Sequence, residues 1–418
     1  MCGIFSIISK NKTVKIEEII KCFEKGIGRG PEESHLKNVN DRLLFGFHRL
    51  AINGYNDPNS MQPLMFKDCI LICNGEIYNW KYLYKIMKIK KNTNSDCEVI
   101  IHTYKKYGML QTLQLLDGVF AFILFDKANN KIFVARDTYG VRPLFWCEDV
   151  DRYLFASEMK SLINLPNRQK PLNQFTPGSC IRIDLSTNKT NIITFSAANS
   201  FNNTTIKTEQ DALTLIRSSL IDAVRKRVDN TDREVACLLS GGLDSSLIAG
   251  LVKKMLGNTN LHTFSIGMNE SEDLKYAQKV ATYIGSIHHT IRLTEQEFLD
   301  AIDEVIYTIE SYDTTTVRAS VGNWLISKYI KENSDCKVVF NGDGSDEVCG
   351  GYMYFHCAPD SIEFDKECKK LLKEIHFFDV LRSDRSISSN GLEARTPFLD
   401  ANFVSTYLSI PANIRNHS

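Results

Sequence analysis

Val235-Ala236-Cys237-Leu238-Leu239-Ser240-Gly241-Gly242-Leu243-Asp244-Ser245-Ser246 decides the fold of the second half of this 418-residue chain. Residues 235–239 read as a buried strand and 246–256 as a helix. Between them two glycines let the backbone turn tightly and approach a ligand, and the helix start offers unpaired N–H groups to an anion. The spacing fits neither a Walker A loop, which needs GK[ST], nor a dinucleotide-binding GxGxxG. A plain strand–helix turn capped by Ser and Asp is the alternative. Further strands are expected at 261–266, 289–293 and 337–340, with helices between them. The first helix, 211–227, sets Leu213, Ile216, Leu220 and Val224 on one face. That succession predicts a parallel α/β sheet.

A second turn follows the strand at 337–340: Asn341-Gly342-Asp343-Gly344-Ser345-Asp346-Glu347. Three carboxylates at a strand's carboxyl end are costly to hold together unless a cation or cationic group sits among them. A solvated acidic loop is the other reading.

The first 185 residues have a different rhythm. Short strand signals recur at 43–51, 70–73, 119–125, 131–135 and 153–156, the third and fourth spaced as a hairpin, with a helix expected over 96–107. The chain opens Met1-Cys2-Gly3-Ile4-Phe5. Once Met1 is removed, Cys2 carries an α-amine titrating near ~8 and a thiol near ~8.5, so the neutral amine can take the thiol proton. A small buried residue opening a strand is the alternative. Phe47-His48-Arg49-Leu50-Ala51-Ile52 and Cys73-Asn74-Gly75-Glu76-Ile77-Tyr78-Asn79 carry groups that suit an amino-acid amide under attack by a thiolate. Arg49 offers a planar fork to the carboxylate. Glu76 and Asp96 offer anions to the ammonium, and the Asn74 side chain and Gly75 N–H offer donors to the oxyanion. Each has an ordinary structural reading as well, a strand-end turn for Asn74-Gly75 or a surface ion pair for Arg49.

Lys+Arg and Asp+Glu each number 50, so no global field points to nucleic acid or membrane. No apolar run nears the ~18 residues of a membrane span, and the first residues lack a signal-peptide layout. Twelve cysteines are scattered without CxxC or zinc spacing. Cys69 and Cys73 alternate with apolar residues as in a strand, and His288-His289 reads as a strand start rather than a metal site. The expectation is a cytoplasmic protein with free thiols. Residues 186–208, rich in Asn and Thr, are expected to link two domains, 2–185 and 209–418.

Taken together, these motifs resemble those of the glutamine-hydrolysing asparagine synthetases over essentially the whole length. Cys2-Gly3-Ile4, His48-Arg49-Leu50, residues 74–79, Leu116-Asp117-Gly118-Val119-Phe120-Ala121-Phe122 and residues 136–144 resemble the glutaminase half. Residues 238–246, Tyr312-Asp313-Thr314-Thr315-Thr316-Val317-Arg318-Ala319-Ser320, residues 344–347 and residues 391–400 resemble the synthetase half. The Cys2 start alone also fits the glutaminase parts of amidophosphoribosyltransferase and glucosamine-6-phosphate synthase, which lack the turn at 240–246.

The resemblance implies an N-terminal-nucleophile αββα glutaminase sandwich followed by a parallel α/β ATP-pyrophosphatase domain. It implies that Cys2 releases ammonia from glutamine through a thioester, that ATP with Mg2+ activates aspartate to β-aspartyl-AMP and pyrophosphate, and that ammonia then displaces AMP. Glutamine would be held by Arg49, Leu50, Asn53, Asn74, Gly75, Glu76 and Asp96, and ATP by Leu238, Ser240, Gly241, Gly242, Asp244, Ser245, Ser265, Ile266, Asn341 and Gly342. Asp244 and Asp346 would hold the metal, Arg385 would contact the reacting phosphate, and Thr315, Thr316, Arg318 and Asp346 would lie on the aspartate and ammonia path. Asp343 would take the proton of the attacking ammonia, and a homodimer is one assembly the sequence leaves open.

Several positions depart from the family. Its His-Arg-Gly-Pro-Asp is Gly28-Arg29-Gly30-Pro31-Glu32 here, and Asp343 stands where a glutamate is usual. Family members also continue beyond the position of Ser418, so the second domain is expected to be shortened. Two competing expectations remain: a glutaminase with an impaired synthetase half, and a non-catalytic regulator binding glutamine or nucleotide.

Overall fold

Strands buried on both faces organise the first half. All seven residues of β1 (Gly3–Ser9) are buried. Ile4 and Ile8 pack with Phe45, Phe47, Ile123 and Val134, whereas Phe5 and Ile7 face the other way, onto Phe23, Leu44, Leu154 and Leu162. A strand can bury both faces only between two layers, each buried side chain contributing about 1.5–3 kcal/mol. The computed structural model, which describes residues 1–11, 13–196 and 205–417, shows those layers. The chain forms two compact units, 1–197 and 198–418.

In the first unit, one antiparallel sheet contains β1, β2 (Glu33–Asn40), β3 (Leu43–Arg49), β8 (Phe145–Glu148), β9 (Arg152–Ala156) and β10 (Asn173–Gln174), in the order β10-β8-β9-β1-β3-β2. The other contains β4 (Leu64–Phe66), β5 (Cys69–Ile77), β6 (Gly118–Asp126), β7 (Lys131–Arg136), β11 (Ser179–Asp184) and β12 (Lys189–Thr194), in the order β12-β11-β7-β6-β5-β4. Leu71, Cys73 and Ile77 of β5 pack under the helices Trp80–Met87 and Val99–Tyr107, completing an αββα sandwich. The hairpin expected at 119–135 is present, with Phe125 opposite Ile132.

The segment expected to link the domains is partly sheet. Lys189–Thr194 pairs with β11 along its length, a polar edge strand whose Asn and Thr content reads like a loop. Residues 197–204 of that segment lie outside the described residues.

The second unit holds five parallel strands, β13 (Val235–Leu238), β14 (His262–Gly267), β15 (Ile287–Arg292), β16 (Val338–Phe340) and β17 (Glu393–Arg395), in the order β15-β14-β13-β16-β17. Strand order reverses between β13 and β16, and ligands bind at the carboxyl ends of such a switch point. Both sequence turns, 240–246 and 341–347, leave from it. The first helix runs Glu209–Val228 behind a Thr208/Asp211 capping box. Its buried face is Ala212, Leu220, Ala223 and Val224, and Leu213, expected inside, is 49% exposed. Among the described residues, no helix is long and apolar enough to cross a membrane.

Candidate active sites

Antiparallel pairing carries Cys2 to the mouth of the sandwich: Gly3 lies opposite His48, which sets Cys2 beside Arg49 and Leu50. The Cys2 Sγ is 3.5 Å from the Leu50 carbonyl, and the Cys2 carbonyl accepts from Arg29 Nε at 3.0 Å. Arg29 is itself buried against Glu158. Cys2, Arg49, Leu50, Asn53, Gly75, Glu76 and Asp96 line one pocket. Asn53 Nδ2 donates to Glu76 at 2.7 Å, the Ile77 N–H donates to Asp96 at 2.6 Å, and Arg49 Nη2 donates to the Gly54 carbonyl at 2.8 Å.

Asn74 adjoins this pocket on β5, and its Nδ2 is buried with no hydrogen-bond partner among the described residues. Leaving such a donor unpaired costs about 1–3 kcal/mol. Gly75 must be glycine, because a Cβ there would lie 2.5 Å from the Val119 carbonyl. The departure at Glu32 is accommodated, its carboxylate accepting the Ala51 N–H at 2.7 Å. Sequence reasoning missed Gln62 and Cys97 in the lining. The Gln62 amide bonds both the N–H and the carbonyl of Cys73, standing in for a strand partner, and nothing in a single sequence signals that.

In the second unit a cleft of about 240 Å³ opens at the β13/β16 switch point. Leu238, Ser240, Gly242, Asp244, Ser245, Asn341, Gly342, Asp343 and Asp346 line it. The helix Leu243–Leu256 begins inside the expected turn and has no side-chain cap, so its first N–H groups face the cleft end unpaired by a cap. Gly241 has φ +85, and a Cβ would strike Tyr276 at 2.6 Å, so the turn backs tightly onto its neighbour. Ser240 and Ser245 join their hydroxyls at 2.9 Å. Across the cleft, Asp343 accepts from Asn341 Nδ2 at 2.6 Å and from Arg382 at 3.2 Å. Burial, then the nearby charge of Asp244, pushes the Asp346 carboxyl above its ordinary pKa.

The structure brings some expected residues elsewhere. Arg385 is buried and pairs with Glu310 at 2.7 Å, while Arg382, one turn earlier on the helix Asp379–Ser388, lines the cleft. The signal for Arg382 was the Asp379/Arg382 spacing of three, which puts both on one helix face. The residues Thr315, Thr316 and Arg318 do not line the cleft. Thr316 donates its hydroxyl at 2.8 Å to Asp313 Oδ1, the carboxylate that caps the helix Thr314–Asn333, whose Asn323 reaches the cleft instead. Ser265 and Ile266 sit near the carboxyl end of β14, Ser265 Oγ being 3.1 Å from His288 Nε2.

The comparisons with known proteins decide the family. Residues 1–214 match a glutamine amidotransferase domain, and 215–367 and 359–418 match asparagine synthase. The asparagine synthetase [glutamine-hydrolyzing] of Cricetulus griseus is 44% identical over 446 residues, covering 99% of this chain and 78% of that protein. The chain belongs to the glutamine-hydrolysing asparagine synthetases. The Homo sapiens asparagine synthetase is 42% identical at the same coverage. Among solved structures, glutamine phosphoribosylpyrophosphate amidotransferase from B. subtilis, at 15% identity and TM-score 0.41, covers 69% of this chain and 81% of that one, a likeness too low to carry an argument.

Proposed function

We infer that the chain makes asparagine from aspartate, with ATP as the energy source and glutamine as the nitrogen donor. What supports the reading is the presence, in one chain, of a thiol pocket beside an unpaired amide donor and an uncapped helix start facing carboxylates.

At the first site, the Cys2 amine takes the thiol proton once Met1 is gone, and Sγ attacks the glutamine amide carbon. The oxyanion takes the Asn74 Nδ2 donor and the Gly75 N–H. The proton goes to the departing ammonia, and water then releases glutamate from the thioester. Arg49 holds the substrate carboxylate, and Glu76 and Asp96 its ammonium.

At the second site the ATP phosphates lie over the turn at 240–245, the helix N–H groups offering them partial positive charge. Asp244 and Asp346 fit a divalent cation: they are oxygen donors facing one another in a cleft where their charges repel. Mg2+ held there supplies neutralisation of phosphate charge. The aspartate β-carboxylate attacks the α-phosphate and pyrophosphate leaves. Ammonia then attacks the β-carbonyl of the adenylate, Asp343 takes a proton, and AMP leaves. Twelve free cysteines support a reducing, cytoplasmic setting.

The test is to follow glutamate, pyrophosphate and asparagine with glutamine, then with ammonium, as nitrogen source. Glutamate without asparagine under both conditions would leave only a glutaminase.

A further inference from the structure

The second cleft is short of positive charge for anionic substrates. The carboxylates of Asp244, Asp343, Asp346, Glu347 and Asp379 line it against the guanidinium of Arg382. Arg382 Nη2 donates both to Asp343 Oδ1, at 3.2 Å, and to Asp379 Oδ1. Asp379 is fixed in turn by the Gly344 N–H at 2.9 Å. One corner of the fork therefore makes every bond, and Nε and Nη1 have no hydrogen-bond partner among the described residues. A guanidinium carries five N–H donors in one rigid plane, so three are left over. The side chain is 23% exposed, on the cleft surface.

What would those donors hold? ATP phosphates have a place at the uncapped helix start and the Asp244/Asp346 pair. A phosphate at Arg382 would meet Asp343 and Asp379 at close range and be repelled. The head group of an α-amino acid is different, because it bears a carboxylate and an ammonium on one carbon. It fits a cation flanked by anions.

Resting on the reading of the chain as an asparagine synthetase, we propose that Arg382 receives the α-carboxylate of the substrate aspartate through its unused Nε and Nη1 donors. The flanking carboxylates face the ammonium, which leaves the β-carboxylate to meet the nucleotide. Asp343 and Asp379 clamp the other side of the fork, so its plane is set before substrate arrives. Arg382 is then the residue that tells aspartate from analogues with a neutral α-group.

The experiment compares aspartate with its α-amide, which keeps the reacting β-carboxylate, in the full chain with ammonium as nitrogen source. Pyrophosphate release gives kcat/KM for each. The wild-type chain should prefer aspartate by on the order of 10²-fold, as expected when a charged partner is lost from a desolvated pair. In Arg382→Gln the preference should fall to within about threefold, mainly through a higher KM for aspartate, with the KM for ATP little changed. Arg382→Lys, which keeps charge but loses the fork, should fall between. Stabilisation by ATP-Mg in a thermal melt reports whether each variant still folds its cleft, and if the Gln variant does not, the Lys variant decides. An unchanged preference, or an ATP KM that rises as much as that for aspartate, overturns the assignment. A wild-type chain that forms no asparagine at all overturns the functional reading with it.

Discussion

A thiolate adding to an amide puts a full negative charge on the former carbonyl oxygen, and Asn74 Nδ2 is a buried donor with no partner of its own. Asn74→Ala should therefore lower kcat for glutamine hydrolysis by roughly 10²–10³ while KM moves little, measured as glutamate release. Cys2→Ala should abolish glutamine-dependent synthesis and spare synthesis from ammonium, and equal loss of both would contradict two separate sites. Asp244→Asn should suppress pyrophosphate formation by about 10²-fold or more and leave glutamate release intact. At this scale the first site was legible, because Cys2, Arg49, Glu76 and Asp96 are distinctive residues at the edges of strong strand signals. Arg385 lies outside the cleft lining, which the sequence does not signal. Two arginines lie three apart on one helix, and only packing against Glu310 turns Arg385 inward and leaves Arg382 at the cleft.

At the scale of elements, the loop before the helix Val99–Tyr107 carries Asp96 into the Cys2 pocket, and Glu98 ties that loop down. Its carboxylate accepts from Asn92 Nδ2 at 2.7 Å, the Thr93 N–H at 2.8 Å, Thr93 Oγ1 at 3.0 Å and His102 Nε2 at 3.1 Å. Burial alone would raise its pKa, but these hydrogen bonds outweigh it and hold the group at about 2, against 4.5 when exposed. The folded value is depressed, so the stabilisation is complete above the unfolded pKa and is lost as pH falls from 4.5 towards 2. Glu98→Gln should lower stability at pH 7 by about 2–3 kcal/mol, with the gap to wild type closing across that window, as read from the thermal transition of the first unit. Elements with continuous apolar runs were readable from sequence, as with β5, β6 and β7. The polar edge strand β12 was not, because its only support is the ladder to β11.

At the scale of the whole molecule, the two activities are joined by their stoichiometry. Asp343 is one methylene shorter than the glutamate that the resemblance to the family leads one to expect there, which withdraws the carboxylate by about 1.5 Å. It is also held by Asn341 and Arg382, so it cannot swing forward freely. A misplacement near 1 Å can cost about 10²-fold in proton transfer. Adenylation should therefore outrun amination, giving more pyrophosphate than asparagine at saturating ammonium. Asp343→Glu should bring the two products closer to equality. One asparagine per pyrophosphate in the wild-type chain would show that the shorter carboxylate suffices. The two-unit architecture was readable because each half carries its own periodicity, whereas the cleft's charge balance depends on helix Asp379–Ser388, far along the chain from the turns it faces.

Met1 is 1% exposed in the folded chain, its sulfur near the buried Arg29. For a polypeptide whose translation starts there, that burial sets a deadline. An aminopeptidase needs an extended, accessible terminus, so trimming must happen while the nascent chain is still emerging, before β1 docks between its neighbours. Molecules that miss this moment fold with the amine of Cys2 locked in a peptide bond. Overproduction that outpaces the trimming enzyme should thus yield a mixed population. Mass spectrometry of the intact chain would count the two forms, and glutaminase activity per mole should follow the trimmed fraction while ammonium-dependent synthesis does not.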